Sequence, residues 1–172
     1  MCELLTIQHL TSYKPLCNPP ATFTSGTYAA GMVSAGGCLI PKQPIALTKI
    51  TDGTSNTMVV GEQSDYCSLA DGTKADCRSS CSHGFAMSFP NSYPSDPRIF
   101  NLTTVRYKIS KDASLANSGG NCGANSPLQG AHVGGLNAAF ADGSVKFIRD
   151  SIDITTLKRL ADRDDGQLLG DY

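Results

Sequence analysis

Apolar and polar residues alternate in short runs along this chain, and no run is long enough for an extended helix. The clearest pattern lies in residues 130–151, where two apolar runs, 136–141 and 145–148, flank an Asp-Gly pair at 142–143. Asp-Gly tolerates the positive φ angles of a tight turn, so the stretch predicts a β-hairpin. With Asp142 and Gly143 as the two central residues of a type I′ turn, Phe140 faces Val145 and Ala138 faces Phe147. One face of the hairpin is then apolar, and Lys146 points away from it. The same register carries His132 opposite Asp153.

Elsewhere the elements are short. Residues 2–10 form an apolar run suited to a strand or a piece of helix, and 13–20 hold three prolines and read as loop. Residues 22–28 have strand composition, and 31–44 read as a small-residue loop. Asp52-Gly53 predicts a turn, after which Thr54, Ser55, Asn56 and Thr57 can cap one helical turn. Residues 58–62 predict a buried strand. The polar stretch 64–91 has no periodicity and reads as a long loop excursion that needs tying down. Residues 99–109 alternate like a strand, and 117–129 are a further polar loop. Apolar spacing over 154–160 predicts one or two helical turns, capped by Asp153 and ended near Gly166. The sum is an α+β domain spanning 1–172, a mostly antiparallel sheet with long loops and a short C-terminal helix. The pattern is weakest over 1–47, and no internal repeat is visible.

Composition narrows the function. Lys and Arg total 14 against 15 Asp and Glu, so no basic stripe exists to hold nucleic acid. No apolar stretch approaches the roughly 18 residues of a spanning helix. Seven cysteines are an odd number, so at least one thiol stays free or pairs outside the chain. Cys67, Cys77, Cys81 and Cys122 flank the middle loops, and one or two bridges among them would supply the missing tie.

Candidate chemistry is sparse. His132 and Asp142 could form an acid–base pair, but along a strand of about 3.3 Å per residue they lie roughly 30 Å apart. The structural alternative makes Asp142-Gly143 the turn and lets His132 hydrogen-bond a neighbour such as Asp153 or a loop carbonyl. Cys67, Cys77, Cys81 and His83 could hold zinc, although their spacing lacks a Cys-x2-Cys knuckle. The acids at 162, 164 and 165, like the Asp52-x-Thr54-x-Asn56 run, hint at calcium, but neither segment has the later Glu of an EF-hand loop. No Gly-x-Ser-x-Gly elbow and no phosphate-binding glycine loop occurs. These readings predict a protein that is not an enzyme and has no cofactor, with calcium as the outside option.

Four blocks, in order, carry a family resemblance: Ile50 to Glu62 (ITDGTSNTMVVGE), Arg98 to Tyr107, His132 followed after nine residues by Asp142-Gly143, and Asp150 to Gly166. Together they cover most of 50–172 and resemble the bacterial H-x9-DG, prepilin-type-processing-associated family. Its members are surface proteins, filed as a domain of unknown function and under a solute-binding-like heading. Asp52, Gly53, Asn56, Glu62, His132, Asp142 and Gly143 match its motifs. The resemblance implies a pilin-like globular head with an extracytoplasmic location. It further implies pilin-like subunits or envelope components as partners, and membrane attachment only through an N-terminal pilin helix. Residues 1–5 lack a basic region followed by an apolar one, so the chain is expected to begin partway through the family's length. The rival expectation is a surface module binding carbohydrate or a metal ion through the loops at 64–96 and 111–130, where Phe85, Tyr93, Asp96 or Arg98 would converge. A hydrolase ranks last.

Overall fold

The computed structural model describes residues 8–11, 21–23, 31–33, 36–39, 44–77, 102–115, 126–170 and 172. In chain order the strands are β1 (Gln8–Thr11), β2 (Ala21–Phe23), β3 (Gly31–Val33), β4 (Met58–Gly61), β5 (Cys67–Ser68), β6 (Lys74–Ala75), β7 (Leu102–Thr104), β8 (Gly135–Phe140) and β9 (Val145–Arg149), followed by the helix α1 (Ile154–Leu160). Single 3-10 turns occupy Leu47–Lys49 and Ala113–Leu115. Five strands join in one sheet, in the order β7-β1-β4-β8-β9, with two separate ribbons, β2-β3 and β5-β6. All pairings are antiparallel except β1 with β7. The architecture is the expected α+β arrangement.

The helix closes one face of the sheet. Leu157 and Leu160 are fully buried against Met58, Leu136, Phe140 and Ile148, with Val105, Ile109, Leu128 and Ile152 completing the core. Burying each large apolar side chain contributes about 1.5–3 kcal/mol. That matters because a seven-residue helix has almost no stability of its own. Asp153 caps it as predicted, accepting from the amides of Thr155 at 2.6 Å and Thr156 at 3.3 Å.

The hairpin exists, but its register is displaced by one residue. Ala139 pairs with Val145, Ala138 with Lys146 and Asn137 with Phe147. The loop has three residues rather than two. Gly143 N–H donates to Phe140 C=O, Phe140 N–H donates to Ser144 C=O, and Gly143 has φ +84°. A turn followed by a glycine in the left-handed region is the next commonest hairpin after the two-residue form. Because side chains alternate faces, this slip inverts β9. Lys146 therefore lies on the core face and Phe147 on the outer one, opposite to expectation. The charge is accommodated by snorkelling: Lys146 Nζ lies 4.3 Å from the Phe140 ring centroid and donates to Ser55 C=O and the Tyr172 hydroxyl.

Other boundaries also moved. Residues 31–33, expected as loop, form β3 because β2 supplies their ladder partners. Of the strand expected over 99–109, residues 102–109 are described, and within them Leu102–Thr104 is strand while Val105 and Ile109 are buried in irregular chain, so their alternation reflects burial rather than pairing. The excursion after Ser64 contains the β5-β6 ribbon, closed by a Cys67–Cys77 disulfide and docked by Ser68 N–H on Lys111 C=O. Cys81, His83, Phe85, Tyr93, Asp96, Arg98 and Cys122, the expected loop at 13–20, and residues 117–125 of the loop expected over 117–129 lie outside the described residues.

Candidate functional site

The motif residues gather in two places, one at each end of β8. At its start, Glu62 follows directly from β4 and turns its carboxylate towards Asn137. Oε2 accepts from the Asn137 backbone amide at 2.8 Å, and Oε1 from its side-chain amide at 3.0 Å. The same Asn137 nitrogen lies 3.1 Å from His132 Nε2, and Glu62 Oε1 lies 3.5 Å from it. His132 thus pairs with Glu62 and Asn137, not with Asp153, whose carboxylate caps α1. The ring also stands edge-on to Phe147, with centroids 6.4 Å apart, and its backbone carbonyl accepts from Lys111 Nζ.

Beneath this pair runs a buried amide layer. Gln63 and Gln129 are almost wholly buried and form a parallel bridge. Gln129 donates its backbone N–H to Glu62 C=O and its side-chain amide to Ser64 C=O, and it accepts from Ser64 Oγ. The cluster therefore ties the end of β4, the 128–132 segment and the start of β8 together. Gly130 is required there, since a Cβ would meet Gly135 C=O at 2.8 Å and Glu62 Oε2 at 2.9 Å.

At the other end the two Asp-Gly turns meet. Gly53 has φ +97°, and Thr57 Oγ1 and Asn56 N–H donate to its carbonyl while Asn56 Nδ2 donates to Asp52 C=O. Thr54 C=O accepts from Asp142 N–H, which docks this turn on the hairpin. The Asp142 carboxylate accepts from the Ser144 hydroxyl at 2.6 Å and the Ser144 amide at 2.9 Å. Those bonds hold its carboxyl below the usual carboxylate range, the hydroxyl contributing most. Asp52 accepts from the amides of Asp165 at 2.7 Å and Gly166 at 3.0 Å. The two segments that hinted at calcium are thus joined to each other through backbone amides. Among the described residues, no group of three or more His, Cys, Asp or Glu side chains is placed to hold a metal ion. Cys67 and Cys77 are bonded to each other, which removes two of the four ligands from the zinc reading.

His132 and Asp142 therefore occupy opposite ends of β8 in separate hydrogen-bond sets. Their sequence spacing reflects the length of one strand plus its turns. Sequence reasoning missed Asn137, Gln129 and Ser64. The available signal was Asn137 itself, a lone amide inside the apolar run 136–141 on a half-buried strand, where an unpaired amide would be costly.

A family model described as "Protein of unknown function (DUF1559)", with the short label SBP_bac_10, matches residues 7–155. No curated protein and no solved structure matches the chain.

Proposed function

This chain belongs to the family described as a protein of unknown function (DUF1559), and from that premise we propose that it is the non-catalytic head of a pilin- or pseudopilin-like protein of the cell envelope. One observation carries the reading. The motif side chains Asp52, Asn56, Glu62, His132 and Asp142 all form hydrogen bonds or ion pairs within the fold, most of them joining separate backbone segments. A general acid or base needs a proton path to a bound substrate; here Glu62 and Asp142 are committed to amides and hydroxyls of the fold. Such side chains make a rigid head that presents its loops, with assembly driven by an N-terminal helix and by like subunits or envelope components. The Cys67–Cys77 disulfide suits an oxidising, extracytoplasmic compartment. Among the described residues no helix is long and apolar enough to cross a membrane.

The test uses the whole natural protein in its own cells, with antibody raised against residues 1–172. Recovery in the sheared surface or envelope fraction, with cross-links between like subunits, is the expected result. The family's short label supports a second reading, an extracytoplasmic solute-binding module for carbohydrate or a metal ion. A monomer free in the periplasm, carrying a small molecule in native mass spectrometry, would replace the first reading with that one.

A further inference from the structure

The five-stranded sheet ends at β9, and among the described residues that edge has no strand partner. Phe140 with Ser144 and Gly134 with Asp150 are hydrogen-bonded positions of the hairpin. Antiparallel ladders alternate, so residues 146 and 148 also bond to β8, while the N–H and C=O groups of Val145 and Phe147 and the N–H of Arg149 point away from it. Arg149 C=O is taken by Ile152 N–H. Among the described residues, nothing takes the outward groups of Val145 and Phe147.

The side chains above this edge are apolar and held in place. Val145 is 66% exposed and Phe147 46%. The Phe147 ring lies over Gly135, where an added Cβ would come within 2.8 Å of two ring carbons, and His132 stands against it edge-on. An exposed ring fixed from below and from one side loses little freedom when something packs on it.

Charge selects what that something is. The Lys146 ammonium is turned to the core face and held there by Ser55 and Tyr172, so the charge on the outer face of β9 is that of Arg149, which is exposed with no ion pair among the described residues. Natural sheet edges are guarded by proline, bulges, covering segments or charge; here the guard is charge, which repels one sign and admits the other. Two antiparallel copies of β9 would place two Arg149 guanidinium groups along one paired edge, and residues 145–149 hold no acid to answer them, so a second copy is a poor occupant.

We propose that the open edge of β9 takes up an extended, acidic strand of another protein. The guest hydrogen-bonds the outward groups of Val145 and Phe147, sets an apolar side chain beside Phe147, and carries a carboxylate to Arg149. This goes beyond the head-domain reading and holds whether the head is displayed on a filament or free.

The probes are two blocked heptapeptides of alternating valine and threonine, one bearing two glutamates and the other two lysines at the same threonine positions. Titrated into the isotope-labelled 172-residue chain, the glutamate peptide shifts the amide signals of residues 145–149 and slows hydrogen exchange at Val145 and Phe147. The lysine peptide binds at least about tenfold more weakly, a gap that narrows with added salt. Arg149→Glu reverses the preference. Val145→Pro removes an N–H that faces the open side, so it abolishes binding while leaving the β8 ladder intact; should that variant not fold, the exchange protection in the parent chain decides. No binding of either peptide at millimolar concentration, equal affinities, shifts centred away from β9, or a dimer of the free chain paired through β9 would each overturn the proposal.

Discussion

Glu62 clamps Asn137 twice, through its backbone amide and its side-chain amide, from 75 residues away in sequence. Both bonds are partly buried and both run to a charged acceptor, the kind worth about 1.5–3 kcal/mol. Glu62→Gln keeps the shape but turns one acceptor into a donor facing an N–H. It is expected to lower the unfolding free energy by about 1–3 kcal/mol in urea denaturation. His132→Ala, at a half-exposed partner of the same pair, should cost less than Glu62→Gln in the same measurement.

Gly135 tests the backbone contact beneath Phe147. A Cβ there would lie 2.1 Å from Ile148 C=O, a main-chain atom that cannot swing aside. Gly135→Ala therefore has to open the β8–β9 ladder, at a cost of about 3 kcal/mol or more. Gly143→Ala, strained only by its φ of +84° with open space around it, should cost about 1 kcal/mol. Thermal denaturation of the two variants should rank them in that order.

Cysteine chemistry gives a third test. Cys67 and Cys77 close a loop ten residues apart in sequence, and replacing both by Ser should remove about 2–3 kcal/mol by freeing the unfolded chain. Cys38 behaves differently. Burial pushes its thiol up to about 11; Arg163 opposes this, and Asp162 and Asp164 reinforce it. At pH 8 it should alkylate far more slowly in the native protein than after unfolding, as read by peptide mass spectrometry.

Acid should weaken the fold from particular positions. Asp142 is held low chiefly by the Ser144 hydroxyl, and Asp153 chiefly by the Thr155 amide. A carboxyl lowered in the folded state stabilises the protein fully above its ordinary value and loses that contribution as pH falls through the folded one. Stability should thus decline below about pH 4. The Asp142→Asn, Asp153→Asn double variant should start less stable at neutral pH and show a shallower decline.

Legibility followed distance along the chain. Asp153 as a cap, the short helix after it, the strand beginning at Met58 and the presence of a hairpin at Asp142-Gly143 were all readable. Each depends on residues within one turn of one another. The hairpin register was not, because the same Asp-Gly pair serves a two-residue or a three-residue loop. The choice rests on which face of β9 the core accepts. That single step decided that Lys146 lies over Phe140 and that Phe147 faces outward.

The candidate site divides in the same way. The Asp-Gly turns and the polar residues after them were marked by local chemistry. The partner of His132 was not, since Glu62 and Asn137 reach it only after β4 and β8 have paired. Local backbone preference, which a few neighbouring residues impose by sterics and capping, was written into the chain itself. Strand order, side-chain facing and the open edge at β9 came from the packing of distant segments, because only the assembled core makes one of several locally acceptable arrangements lower in free energy than the others.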